Sequence, residues 1–303
     1  MRFSIIIPVA PYRSAEILES INRLDFPKKD YEIIVEEGRN ASLNRNTGFE
    51  KSKGEIIVFL DDDGIIENDL LKKAEKFFRE HEEIDMVGGP QLTPLNEKGF
   101  AKISGYALSS KFGGWSTSNR YEKKKLNLNA DETSITTAIM FCKRKVFEKI
   151  KFDINLWPGE DPKFISDAKK ENFKVAYSPD LIIYHRRRPT AKALIKQIFN
   201  YGRVCPLREK IVNILKKPFF LVPSLFILYI LFLFEFAILG IINYFFLIPL
   251  MIYLILDIEI FSVYEAVKNK DVKGIFILPF IFPMIHLSYG VGWFYGLWQK
   301  ITK

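Results

Sequence analysis

Cysteine is scarce in this chain: Cys142 and Cys205 are the only two in 303 residues. That excludes a disulfide framework and a thiolate metal cluster, and it fits a reduced compartment. A basic leader with a cleavage site is also missing, because Met1 runs almost directly into the strand-like SIIIPV, so no signal peptide is expected. Charge is lacking over one long stretch. Residues 1–217 hold nearly all of it, whereas 218–298 read PFFLVPSLFILYILFLFEFAILGIINYFFLIPLMIYLIL, a short polar patch, then GIFILPFIFPMIHLSYGVGWFYGLW. A span needs about 20 apolar residues to cross a hydrocarbon core of about 30 Å, so the text supplies about three, expected over 219–239, 241–261 and 275–297. The net charge of +8 is then juxtamembrane Lys and Arg facing anionic lipid, not a nucleic-acid footprint. The basic stretches KNKDVKG, HRRRPTAKALIKQ and REKIVNILKK belong by the positive-inside tendency to the cytoplasmic side. That puts a soluble domain, 1–189, in the cytosol, amphipathic interfacial helices at 190–217, and a membrane domain at 218–303 whose end, ITK, faces outside. Lys300 and Lys303 pull the other way.

The soluble part alternates strand and helix. FSIIIPV is an apolar strand, SAEILESINRL an amphipathic helix, YEIIVEE a strand, SLNRNTGFEKS a helix, EIIVFL a strand, and ENDLLKKAEKFFREH a long amphipathic helix. Such alternation with near-continuous apolar strands predicts an α/β fold whose mostly parallel sheet is covered on both faces. Ligands then sit beyond the carboxyl ends of the strands. There the sequence puts Pro8 to Arg13 after the first strand, Glu36 and Glu37 after the second, and Asp61, Asp62 and Asp63 after the third. Adjacent carboxylates repel unless a cation or a solvated turn relieves them. In one shared crevice the cation is favoured: Mg²⁺ or Mn²⁺ takes carboxylate oxygens, and substrate phosphates complete its shell.

These residues resemble glycosyltransferase family 2, with its nucleotide-diphospho-sugar-binding (GT-A) α/β fold. FSIIIPV is similar to that family's opening strand, RNTG (45–48) to its RNxG helix start, GEIIVFLDDDG to its DxD strand, and GED (159–161) to its later acidic motif. Beyond these, YHRRRP, QIFNYGR and the HLSYGVG helix are similar to membrane-bound members of the succinoglycan-type and cellulose synthase-like branch. The resemblance implies that Asp61 and Asp63 hold a divalent ion against the donor diphosphate, with Asp62 at the variable middle position, where it contacts the ribose or is simply solvated. Pro8 and Glu36 or Glu37 would stand by the nucleotide, although EEGRNAS departs from the more usual DDGSTD.

Asp161 matches the family's general base and Glu160 an orienting or hydroxyl-binding acid; Asp161, just before Pro162, also suits the N-cap of the next helix. Arg45 either reaches a phosphate or faces solvent. Trp115 and Trp157 are sugar-stacking platforms or packing residues, and His185 contacts metal or phosphate, or is structural. Arg186, Arg187 and Arg188 clamp diphosphate or attract lipid phosphates. Gln197 and Arg203 stand in for the family's QxxRW motif on an interfacial helix, at different spacing and without the Trp. Glu235, Asp257 and Glu259 are expected to be buried acids that either mark a lipid-phosphate or polyprenyl groove, capped by His286 and Tyr289, or sit near the interfaces. The function implied is an inverting, metal-dependent hexosyltransferase. It would use a GDP- or UDP-linked donor and a membrane-held, polyprenyl-linked glycan acceptor, with membrane lipids as its surroundings. The alternatives are a polyprenyl-phosphate sugar synthase and a non-catalytic subunit that binds nucleotide sugars or lipid carriers.

Overall fold

A computed structural model describes residues 1–208 and 217–302. Besides short 3-10 turns, the elements in chain order are β1 (Phe3–Val9), α1 (Leu18–Ile21), β2 (Tyr31–Glu37), α2 (Ala41–Lys51), β3 (Ile56–Leu60), β4 (Gly64–Ile66), α3 (Leu70–Glu80), β5 (Met86–Gly88) and β6 (Gln91–Leu92). Next come α4 (Gly99–Ser109), α5 (Lys111–Gly114), β7 (Ile139–Lys143), α6 (Arg144–Lys149), α7 (Glu160–Lys170), β8 (Val175–Tyr177) and β9 (Ile183–His185). The chain continues through α8 (Ala191–Arg208), α9 (Val222–Ile238), α10 (Tyr244–Lys268) and α11 (Lys273–Ile301). Two units are formed: Met1–Asn96 with Ser116–Arg186, and Glu97–Trp115 with Arg187–Lys303.

The first unit is built on a six-stranded sheet in the order β2-β1-β3-β7-β5-β8. β1 runs parallel to β2 and β3, and β5 to β8, while β7 is antiparallel to both of its neighbours. β1 and β3 are unbroken apolar runs because both of their faces are covered. Phe3, Ile5 and Ile7 join Val58 and Leu60 in one core with α3, whereas Ile6 joins Ile57 and Phe59 in another with Phe49 and Phe147. Each fully buried side chain of this size contributes roughly 1.5–3 kcal/mol. The parallel register brings the ends of β1, β2 and β3 to one edge, with Val9 opposite Glu37.

Two sequence expectations change here. SAEILESINRL forms a single helical turn, because the Ile17 N–H donates to the Asp62 carbonyl (3.0 Å) and not to a helix partner; Ile17 and Ile21 still bury. A second sheet, β4-β9-β6, also appears, in which antiparallel pairing sets Gly64 opposite His185.

In the second unit, α4 buries Ala101, Ile103, Tyr106, Ala107 and Leu108, and Lys102 pairs with Asp271 at 3.0 Å. Helices α10, 25 residues, and α11, 29 residues, are long and apolar enough to cross a membrane. α9 has 17 residues, which at about 1.5 Å per residue falls short of a hydrocarbon core of about 30 Å. The helix expected over 241–261 begins at Tyr244, because Gly240 turns the chain at a φ of 67° and the Asn243 side chain accepts from the Phe245 N–H. It then runs on to Lys268, through a π-helical stretch at Ile255–Ser262. Of the acids expected to be buried, Asp257 is; Glu235 and Glu259 are exposed. The amphipathic segment expected over 190–217 is the helix α8, which passes through Pro206 to Arg208; the expectation for 209–216 lies outside the described residues.

Candidate active site

Asp61 leaves β3 directly, its N–H donating to the Ala138 carbonyl at 3.3 Å. The β4/β9 pairing turns His185 back over the acidic run. Its Nε2 lies 3.0 Å from Asp63 Oδ1 and 3.5 Å from Asp61 Oδ2, and its Nδ1 faces the Arg186 carbonyl at 3.0 Å. Both ring nitrogens therefore meet acceptors, which favours the imidazolium. Burial works against that charge, but Asp61 and Asp63 lift His185 to about 9. Arg13, in the loop after β1, closes the other side, with Nη2 3.2 Å from Asp63 Oδ2 and Nε 3.4 Å from Asp62 Oδ2. Burial would raise Asp63, yet His185 and Arg13 hold it well below the usual carboxylate range. Asp62 is less compensated: burial and the charge of Asp63 push it up to about 6.

Arg45 is the joint between this run and the GED motif. Its helix α2 starts at the Asn40 cap, whose side chain accepts from the Leu43 N–H at 3.1 Å. One turn on, the Asn44 side chain donates to the carbonyls of Glu36 (3.0 Å) and Gly38 (3.2 Å), fixing α2 to the end of β2. Arg45 is 4% exposed. Its Nη1 lies 2.9 Å from Glu160 Oε1 and its Nη2 3.4 Å from Asp61 Oδ1, with the guanidinium over the Phe152 ring. Arg45 Nε and Glu160 Oε2 remain buried without hydrogen-bond partners. Arg45 is therefore not solvent-facing, and its two terminal nitrogens meet carboxylates.

The GED turn opens α7. Gly159, at a φ of 113°, is the N-cap, and Glu160 and Asp161 occupy the first turn, so the reading of Asp161 as an N-cap is overturned. A left-handed φ favours glycine. Half-buried Asp161 is pushed up to about 6 by burial and by the charge of Glu160, against Arg120 and Arg45. Arg120, which also donates to the Glu132 carbonyl, carried no sequence signal; neither did the grip of Arg13 on the acidic run.

The remaining predicted residues are distributed as follows. Pro8 sits opposite Glu36 at the strand ends. Glu36 is engaged by Lys51 at 2.7 Å, while Glu37 is exposed. Trp157, three residues before Glu160, is 61% exposed, and Arg186 pairs with Glu16 at 3.7 Å. Trp115, Arg188, Gln197 and Arg203 belong to the second unit, where Gln197 donates to the Tyr201 hydroxyl and Arg203 to Gln299. Among the described residues, no group of three or more His, Cys, Asp or Glu side chains forms a ready metal cage.

Residues 5–200 match the family described as Glycosyltransferase like family 2. Over 97% of its length the chain is 23% identical to 96% of a Methanococcus voltae protein, dolichyl N-acetyl-alpha-D-glucosaminyl phosphate 3-beta-D-2,3-diacetamido-2,3-dideoxy-beta-D-glucuronosyltransferase. It is 32% identical to the Staphylococcus aureus poly(ribitol-phosphate) beta-N-acetylglucosaminyltransferase TarS, over 27% of this chain and 19% of TarS. The mannosyltransferase PcManGT from Pyrobaculum calidifontis, solved with GDP-Man and Mn²⁺, superposes at a TM-score of 0.64 and 14% identity, covering 99% of this chain and 88% of PcManGT. The last likeness shows a shared GT-A-like fold.

Proposed function

The chain belongs to glycosyltransferase-like family 2 and is a glycosyltransferase, and from that premise we propose that it moves a hexose, with inversion, from a GDP- or UDP-linked donor to a hydroxyl of a membrane-held, polyprenyl-linked glycan. The observation that carries this is the Arg45 joint, since one side chain contacts both the DxD run at Asp61 and the GED turn at Glu160. The named acceptor of the Methanococcus relative, a dolichyl-linked sugar phosphate, supports the lipid-linked acceptor. The apolar helices α10 and α11, with the shorter α9, support a membrane anchor, and the basic stretches beside them support a cytosolic catalytic unit. Within the family this is the membrane-bound, cellulose synthase-like branch.

Asp61 and Asp63 suit Mg²⁺ or Mn²⁺, because their oxygens converge on one atom, His185 Nε2, and hard cations take such oxygens. Bound there, the ion would offset the charge of the departing diphosphate. The protein's residues do the rest. Asp161 takes the proton of the attacking hydroxyl as its oxygen bonds to the anomeric carbon; the opposite carbon–oxygen bond breaks, and its electron pair leaves with the diphosphate. Glu160 binds a sugar hydroxyl. Glu37 and Pro8 border the nucleoside, and Trp157 offers an aromatic face to a pyranose.

The test is release of nucleoside diphosphate from a panel of donors by the purified chain in the presence of membrane lipid extract, with and without Mn²⁺ or Mg²⁺. Release should need the metal and fall at least about 100-fold in Asp61→Ala, Asp63→Ala and Asp161→Asn, in line with the size of metal and general-base effects. Metal-independent release untouched by these changes would refute the reading. If Asp161→Asn alone keeps activity, the acceptor is a lipid phosphate, which needs no base, and the enzyme is a polyprenyl-phosphate sugar synthase.

A further inference from the structure

We propose that Arg45 is a positioning residue that transmits occupancy of the donor-side carboxylate Asp61 to the acceptor-side turn Glu160–Asp161; this rests on the donor and acceptor assignments above. A guanidinium is a rigid planar fork, so its two terminal nitrogens keep a fixed relation. In Arg45 one prong is committed to Glu160 at 2.9 Å and the other reaches Asp61 at the longer distance of 3.4 Å. A ligand that draws Asp61 away releases the second prong. The fork then pivots about its seat on Phe152, and Glu160 moves with it.

The segment before the turn is held. The loop before the turn is tied to α2: Asn46 exchanges hydrogen bonds with the backbone of Phe152 at 2.9 and 3.0 Å, and Asn40 donates to the Ile154 carbonyl at 2.8 Å. Past Ile154, Arg45 itself reaches from α2 to Glu160, and Gly159 enters the helix with a φ of 113° and no side-chain cap. Glu160 Oε2 is the group whose aim matters. It is a buried carboxylate oxygen with no donor, an unfavourable state that a sugar hydroxyl relieves. Donor binding at Asp61 thus aims Glu160 at the hydroxyl-bearing partner.

Trp157 is the reporter, three residues from Glu160 and 61% exposed. The full chain in detergent micelles is titrated with Mn²⁺ plus UDP and with Mn²⁺ plus GDP, and tryptophan emission is followed; Trp157→Phe identifies that residue's share among the four tryptophans. Nucleotide affinity is measured in parallel by calorimetry. The bound nucleotide should shift Trp157 emission in the unaltered chain. Arg45→Lys, Arg45→Gln and Glu160→Gln should each cut the shift at least about fivefold, the low end for coupled sites, while still binding nucleotide. Should Arg45→Gln fail to fold, Arg45→Lys and Glu160→Gln decide. A bound nucleotide that leaves Trp157 silent in the unaltered chain, or a full shift in the variants, overturns the coupling and spares the site assignment. Failure of both nucleotides to bind with Mn²⁺ overturns the donor-site assignment, and the coupling with it.

Discussion

Asp161 stands one residue beyond the Arg45–Glu160 ion pair and does not share it. Glu160 and Asp61 disfavour its charge and Arg120 and Arg45 favour it, and burial decides the balance by pushing Asp161 up to about 6. A general base works deprotonated, so a raised value moves the acid limb of activity upward. kcat/KM should be level above pH 6 and fall about tenfold per unit below it; a limb near the ordinary carboxylate value of 3.8 would remove Asp161 as the base. Asp61, Asp63, Glu160 and Asp161 were legible because carboxylates at strand ends and helix starts are informative by type and place alone. For Arg45 two readings stood level, since an arginine on a polar helix reads equally as phosphate-binding and as solvated. A signal was nonetheless present: Arg45, Gly48, Phe49 and Ser52 all bury at helical spacing. Arg13 lies in a loop and Arg120 ends a short 3-10 turn, where no long period betrays which way a side chain points.

The elements legible in the sequence are those whose partners are close in the chain or whose pattern is long. β1, β2 and β3 with α2 and α3 follow from apolar runs and amphipathic spacing. β4, β6 and β9, each two or three residues long, pair with strands far away in sequence, so nothing local announces the sheet that carries His185. Glycine placement in the apolar helices was silent for the same reason. A methyl on Gly296 would lie 1.9 Å from the Arg203 carbonyl oxygen, and one on Gly292 2.1 Å from that of Phe199, so α8 and α11 touch backbone to backbone. Small residues permit such contact between apolar helices. Gly296→Ala must push α8 aside and should destabilise by about 1–3 kcal/mol, the range for overpacking. At Gly240, with a φ of 67° and open space around it, alanine should cost about 1 kcal/mol from backbone strain alone. Thermal unfolding in detergent should therefore rank Gly296→Ala below Gly240→Ala; the reverse order would mean that α8 and α11 are not in contact.

At the scale of the whole chain, that contact constrains topology. Phe199 meets Gly292, Arg203 meets Gly296, and Lys300 donates to the Pro206 carbonyl, so α8 and α11 run parallel and end together. Wherever Pro206 lies, the C-terminal end lies too. The reading of α8 as an interfacial helix on the cytoplasmic side and the reading of ITK as external therefore cannot both hold. Cys142 and Cys205 are both buried, which leaves a quiet background for labelling. Leu207→Cys and Thr302→Cys, probed in sealed vesicles with a membrane-impermeant maleimide, should react from one and the same face. Labelling of the two from opposite faces would break the parallel pair. Labelling of both from the cytoplasmic face would remove the external ITK, and labelling of both from the outer face would remove the cytoplasmic α8.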